Sequence, residues 1–276
     1  MNAVFIITGK EIRDGMRNRW VLATTVLLAM LALSLGFMGS SPTGAVKVDP
    51  LTVTVVSLSS LSIFLIPLIA MLLSYDAIVG EVDRGTMALL LSYPVARWQV
   101  VIGKFLGHLF ILALATIFGY GLAGITLQLV HGTVNTSAWE PFVFLIIASI
   151  LLGASFLSMG YLISTLVRER ATAAGIAIGV WLFFVVIFDM ALLGVLVADT
   201  QQTLTASVVN TVLLFNPADV YRLLNLTGYE NISMYAGMAG LSEQINMGRQ
   251  VLMVVQLLWI VIPFALAIFF FRKKQI

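Results

Sequence analysis

Six long apolar runs fix what this chain can fold into: residues 20–38, 52–73, about 105–130, 142–164, about 173–198 and 251–271. A bilayer core about 30 Å thick is crossed by about 20 residues of helix at about 1.5 Å each. All six runs are near that length. They are continuous rather than the alternating ten-residue segments of a membrane barrel, and a helix satisfies its own backbone in lipid. The expectation is an all-α polytopic membrane protein of six transmembrane helices. Composition agrees: 60% of residues are hydrophobic and 10% charged, where a soluble domain carries about a quarter charged.

An even number of spans puts both termini on one side, and cationic residues say which. Twelve of the 15 Lys and Arg residues fall on one face: Lys10, Arg13, Arg17 and Arg19; Arg84, Arg97 and Lys104; Arg168 and Arg170; Arg272, Lys273 and Lys274. Only Lys47, Arg222 and Arg249 fall on the other. Such a bias marks the cytoplasmic side. Both termini and the segment 74–104 are therefore expected in the cytoplasm. The first run is too long for a signal-peptide core and is expected to stay attached.

Three polar segments stand out. Across residues 1–19 and into the first run, Phe5, Gly9, Ile12, Met16 and Trp20 recur at helical spacing, with Lys10, Arg13, Asp14 and Arg17 mostly elsewhere. That pattern suits a helix lying on the membrane surface. In 74–104, Asp76, Glu81 and Asp83 follow the second run, Arg84-Gly85 reads as a turn, and Thr86 is placed to cap a short helix presenting Leu89, Leu90 and Leu91. Pro94 ends that helix, and Arg97 and Lys104 bracket re-entry into the membrane. A short amphipathic helix held below the bilayer suits a socket in a soluble protein; lying flat on lipid headgroups is the alternative. In 199–250, Asn216 caps, Pro217 takes the first helical position and Asp219 the first turn, and Gly228 is a stop. With the short apolar piece 208–215 before it, this reads as an outer helical hairpin.

Candidates for chemistry are few. No Cys is present, which excludes disulfides and thiolate chemistry. No Gly-x-x-x-x-Gly-Lys-Ser/Thr loop exists, so the chain is not expected to hydrolyse nucleotide, and no basic run with aromatics points to nucleic acid. Asp189, inside the fifth run, is costly in lipid; it either lines a polar route or pairs with a neighbouring helix or a second copy. Met234, Met238 and Met247, with Tyr229 and Tyr235 nearby, are soft donors that suit Cu(I) or pack as ordinary apolar groups. Ser155 with His108 or His131 would make an intramembrane hydrolase, but the two histidines sit at opposite ends of one run. Gly175 and Gly179 form a small-residue face suited to close helix approach, between copies or within one.

The run Glu81-x-Asp83-x-Gly85-Thr86, with Leu89-Leu90-Leu91, Pro94, Arg97 and Gly103-Lys104, resembles the pattern of ABC-2-type permeases. Lys10-Glu11 and Arg17-Asn18-Arg19-Trp20 resemble that family's elbow helix. The resemblance implies a multi-pass protein of the bacterial inner membrane, in which 74–104 holds the coupling helix. It implies two copies paired over a dimer of cytoplasmic ATPase subunits that carry ATP and Mg2+, with no cofactor in this chain. Residues 215–228 and 75–81 resemble a narrower branch, the permeases that serve maturation of the copper–sulfur centre of nitrous oxide reductase. That branch implies a periplasmic β-helical copper-maturation partner seated on the outer loops, with Asn216, Pro217, Asp219, Tyr221, Arg222 and Tyr229 as contacts. A generic exporter of lipid, peptide or drug is the alternative within the family.

Overall fold

The structure is a computed structural model, and it describes residues 3–17, 19–39, 50–131, 139–199, 206–226 and 248–274. Among these every regular element is helical. Helix α1 spans Ala3–Arg17, α2 Arg19–Gly39, α3 Pro50–Ser74, α4 Val79–Asp83 and α5 Thr86–Leu91. Then come α6 (Arg97–His131), α7 (Trp139–Leu166) and α8 (Arg170–Leu182), which runs through a π-helical stretch, Phe183–Ile187, into α9 (Phe188–Ala198). Two short helices, α10 (Ala206–Leu213) and α11 (Pro217–Leu226), precede α12 (Arg249–Lys273).

Five helices are long and apolar enough to cross a membrane, those over 55–83, 97–130, 139–166, 170–198 and 249–273. They correspond to the second to sixth expected runs. For the first, the described apolar stretch of α2, Ala23–Leu35, is shorter. Helix α6 begins at Arg97, eight residues before the apolar run, and at about 1.5 Å per residue its 35 residues reach about 52 Å. It therefore outruns the hydrocarbon layer and carries Arg97 and Lys104 on its own first turns.

Helix α7 is the centre of the bundle, packed against α3, α12 and α6. Its small residues make that possible, since apolar helices in lipid gain little from burying Leu and much from close approach. A Cβ on Gly153 would stand 2.4 Å from Leu112 of α6, and one on Gly160 only 1.8 Å from Ser74 Oγ of α3. Helices α1 and α2 pack on α6. On α1, Val4, Ile7 and Glu11 are buried against the bundle, while Phe5 and Met16 of the apolar face read from the sequence are exposed. Gly103 and Gly107 let α1 lie close on α6, each with an α1 side chain under 3 Å from where a Cβ would sit. The stretch α8–α9 is mostly uncovered, and Gly175 and Gly179 meet nothing within 4 Å.

Candidate functional site

The polar break at 74–104 folds into a knob. Helix α3 stops at Ser74; the chain turns, and the Ile78 and Val79 amides both donate to Ser164 Oγ of α7 at 3.0 Å. Asp76 takes a two-pronged bond from Arg170, 2.7 and 2.8 Å, with Arg84 at 3.7 Å. Such paired guanidinium contacts fix orientation as well as distance. Gly85 then adopts φ +70° and leads into α5, a left-handed conformation that costs glycine nothing. Thr86 does not cap the helix as expected. Gly85 holds the cap position, and the Thr86 hydroxyl donates back to the Glu81 carbonyl at 3.2 Å. Met87 is fully buried and anchors α5, while Leu89 is 67% and Tyr93 64% exposed.

Beneath the knob lies a charge latch. Lys104 Nζ, 3% exposed, donates to Glu81 at 2.7 Å and to Glu11 at 2.8 Å. One ammonium thus ties α4, α1 and α6 together. Lys10 stands 3.1 Å from Glu11 and 3.7 Å from Glu81, and also reaches Asp14 at 3.3 Å. Burial would raise the Glu11 carboxyl, but Lys104, with His108 and Lys10 behind it, holds it below its ordinary value. His108 Nε2 is 3.6 Å from Glu11, and its Nδ1 shares a 2.8 Å hydrogen bond with the Tyr161 hydroxyl. A second pair of contacts closes the inner end. Arg97 donates to the Phe271 carbonyl at 3.1 Å, and to that of Lys274, at the end of α12. Lys274 in turn donates to the Thr165 and Val167 carbonyls at the end of α7. Cations there satisfy carbonyls left over by the helices.

These contacts sort the expected site residues. Asp83, Arg84, Gly85, Thr86, Leu89 and Pro94 are exposed on the knob. Glu81, Leu90 and Arg97 are not free to dock on another protein: Glu81 and Arg97 bond inward and Leu90 packs against the core. On α1, Lys10, Arg13 and Arg17 are exposed and Glu11 is buried. In the sequence Lys104 marks only a boundary; its central role comes from the fold. The available signal was its position as the last ionic group before a long apolar run.

At the opposite end, the expected partner contacts on α11 are corrected. Asn216, Pro217, Asp219 and Tyr221 are buried, because α11 packs inward on α12, α7 and α3. Asn216 does cap: its Oδ1 accepts the Ala218 amide at 3.0 Å. Its Nδ2 donates to Asp219 at 2.8 Å and to the Phe184 carbonyl inside the π stretch at 2.8 Å. The Tyr221 hydroxyl shares a 3.0 Å hydrogen bond with Ser149, and burial pushes that phenol up to about 12. Arg222 bridges Asp219 at 2.6 Å and Asp189 at 2.7 Å. Asp189 thus pairs within the chain. Tyr229, Gly228 and the methionines at 234, 238 and 247 lie outside the described residues. Ser155 accepts from Gln256 at 2.9 Å and donates to the Leu151 carbonyl, while His108 is engaged with Tyr161. The described contacts of Ser155 and His108 do not make a nucleophile–base pair.

Comparison with known proteins supplies the context for this geometry. Two relatives, both described as probable ABC transporter permease protein NosY, are 42% identical to this chain. The one from Stutzerimonas stutzeri aligns over 275 residues, 99% of each chain. The one from Pseudomonas aeruginosa aligns over 280 residues, 100% of each. Residues 5–276 match the ABC-2 family transporter protein family. The chain is a multi-pass membrane protein that belongs to the ABC-2 transporter family, as an ABC transporter permease subunit.

Proposed function

We propose that this permease receives ATP-driven movement from a dimer of cytoplasmic ATPase subunits at the α4–α5 knob and passes it through the bundle to its outer end. The carrying observation is the union of an exposed knob with the buried Lys104 latch: a partner pushing on Leu89 and Tyr93 must also move α1 and α6. A bistable, tightly packed junction transmits such displacement where a loose loop would absorb it. Counting α2 as the first of six spans puts both termini on one side, and the cation bias supports the cytoplasmic one. The narrow resemblance, together with relatives bearing the NosY name, supports service in maturing the copper centre of nitrous oxide reductase. In that service a β-helical periplasmic protein would sit on the outer segments, and a second copy would pack on the uncovered α8–α9 face. Force transmission is favoured over passage of a charged cargo, since Asp189 is occupied by Arg222.

Co-expression with a cytoplasmic ABC ATPase subunit and a periplasmic β-helical protein from the same source tests the reading. The expected result is a stable complex whose ATPase activity depends on this subunit. Recovery of the intact complex from an Asp83→Lys, Leu89→Glu double variant would overturn the assignment of the knob.

A further inference from the structure

The outer end holds a charge imbalance that its contacts do not resolve. Asp189 and Asp219 share a single guanidinium, Arg222, at 2.7 and 2.6 Å. Two carboxylates on one cation leave one excess negative charge in a place where Asp219 is 1% exposed. The hydrogen-bond inventory is short by one as well. Asp219 accepts from Arg222 and Asn216, and Asp189 Oδ2 accepts from Arg222, but Asp189 Oδ1 is buried with no donor. A buried polar atom without a partner is costly, and so is a buried uncompensated charge.

A single proton answers both deficits, because it cancels the excess charge and gives the acid pair the donor that Oδ1 lacks. We propose that Asp189 and Asp219 form a proton-binding site at the outer end of the bundle, which holds α11 against the α8–α9 helix when protonated and loosens it when the proton leaves. Two carboxylates crowded on one cation repel each other, which favours taking up one proton at the site. Burial, and beyond it the neighbouring Asp189, push Asp219 up to about 7 against the pull of Arg222. The groups facing the site are those two acids, Arg222 and Asn216. Of the elements packed on α11, α3 and the π stretch carry no titratable side chain. Helix α7 carries Glu140 and Tyr161, and α12 carries Arg249, Arg272 and Lys273. Arg249 stacks on Phe144, and Tyr161 bonds to His108.

Amide hydrogen exchange of the full chain in nanodiscs, measured across pH 5 to 9, tests this. Raising the pH should speed exchange in α11, beyond the intrinsic rate, by up to about tenfold per unit as the pH approaches the titration at about 7, and the effect should level off above it. Asp219→Asn, which keeps a neutral donor, should remove that dependence. Infrared spectra of the wild type supply a readout independent of variant folding: a carboxylic acid band should titrate near neutral pH, and be absent from either Asp219→Asn or Asp189→Asn. Exchange in α11 that follows only the intrinsic rate would overturn the proposal. So would an α11 response to sodium at fixed pH and ionic strength, which would point to a metal cation instead.

Discussion

Lys104 and Glu81 meet at 2.7 Å under the knob, and the same ammonium reaches Glu11 of α1 at 2.8 Å. Two acids from separate helices thus depend on one buried cation. Replacing Lys104 by Met leaves both carboxylates without it, and a broken buried pair costs about 3–5 kcal/mol. A large fall in thermal midpoint is expected in detergent. Adding Glu81→Gln to Lys104→Met should recover part of it, a non-additive result that a double-mutant cycle reads directly.

The exposed side chains of the knob should behave differently. Leu89→Glu and Tyr93→Glu touch surface, so the melting curve of the isolated permease should move little. Affinity for the ATPase, read by co-purification, should fall by about thirtyfold, the equivalent of the roughly 2 kcal/mol that a central interface side chain contributes. Loss of stability equal to that of Lys104→Met would show that the knob is a folding element instead.

The latch should also respond to acid. Glu11 has its folded value held below the ordinary 4.5, so the unfolded chain binds more protons as the pH falls. Its contribution is present above that value and is lost as the pH drops through the lower folded one. Exchange protection of α1 should therefore decline on acidification below about 4.5, and Glu11→Gln should flatten that decline while lowering protection at neutral pH.

Gly160→Ala tests the close approach of α7 to α3. The added methyl would meet Ser74 Oγ at 1.8 Å, so the helices must separate or Ser74 must rotate out of its bond to Ala70. Overpacking of this kind costs about 1–3 kcal/mol. Ser74→Ala added to Gly160→Ala should relieve part of the loss in thermal midpoint.

Much of this architecture was legible in the chain. Apolar runs longer than a membrane is thick announce helices, and Asn216-Pro217 announces the start of α11, since caps act through nearest neighbours. What escaped was direction. Glu81 and Asp83 are two residues apart and equally acidic, yet one bonds Lys104 and the other faces outward. Composition and spacing do not distinguish them, because the choice depends on where α6 places its lysine. The burial of Tyr221 and Asp219 escaped for a related reason. A short helix with polar residues reads as surface, and only its packing on α7 and α12 supplies Ser149 and the inward face.

The π-helical stretch Phe183–Ile187 acts as a vernier between two halves of one span. A π turn holds one more residue than an α turn, and each residue in an α-helix turns the chain by about 100°. Winding the same residues of 183–187 as ordinary α-helix, with none removed, would swing α9 by about that angle. Asp189 would leave Arg222 while every side chain kept its identity. The π turn therefore absorbs one residue and sets the rotational phase of the outer half, and the same residues in unbroken α-helix would present a different face of α9 to α11.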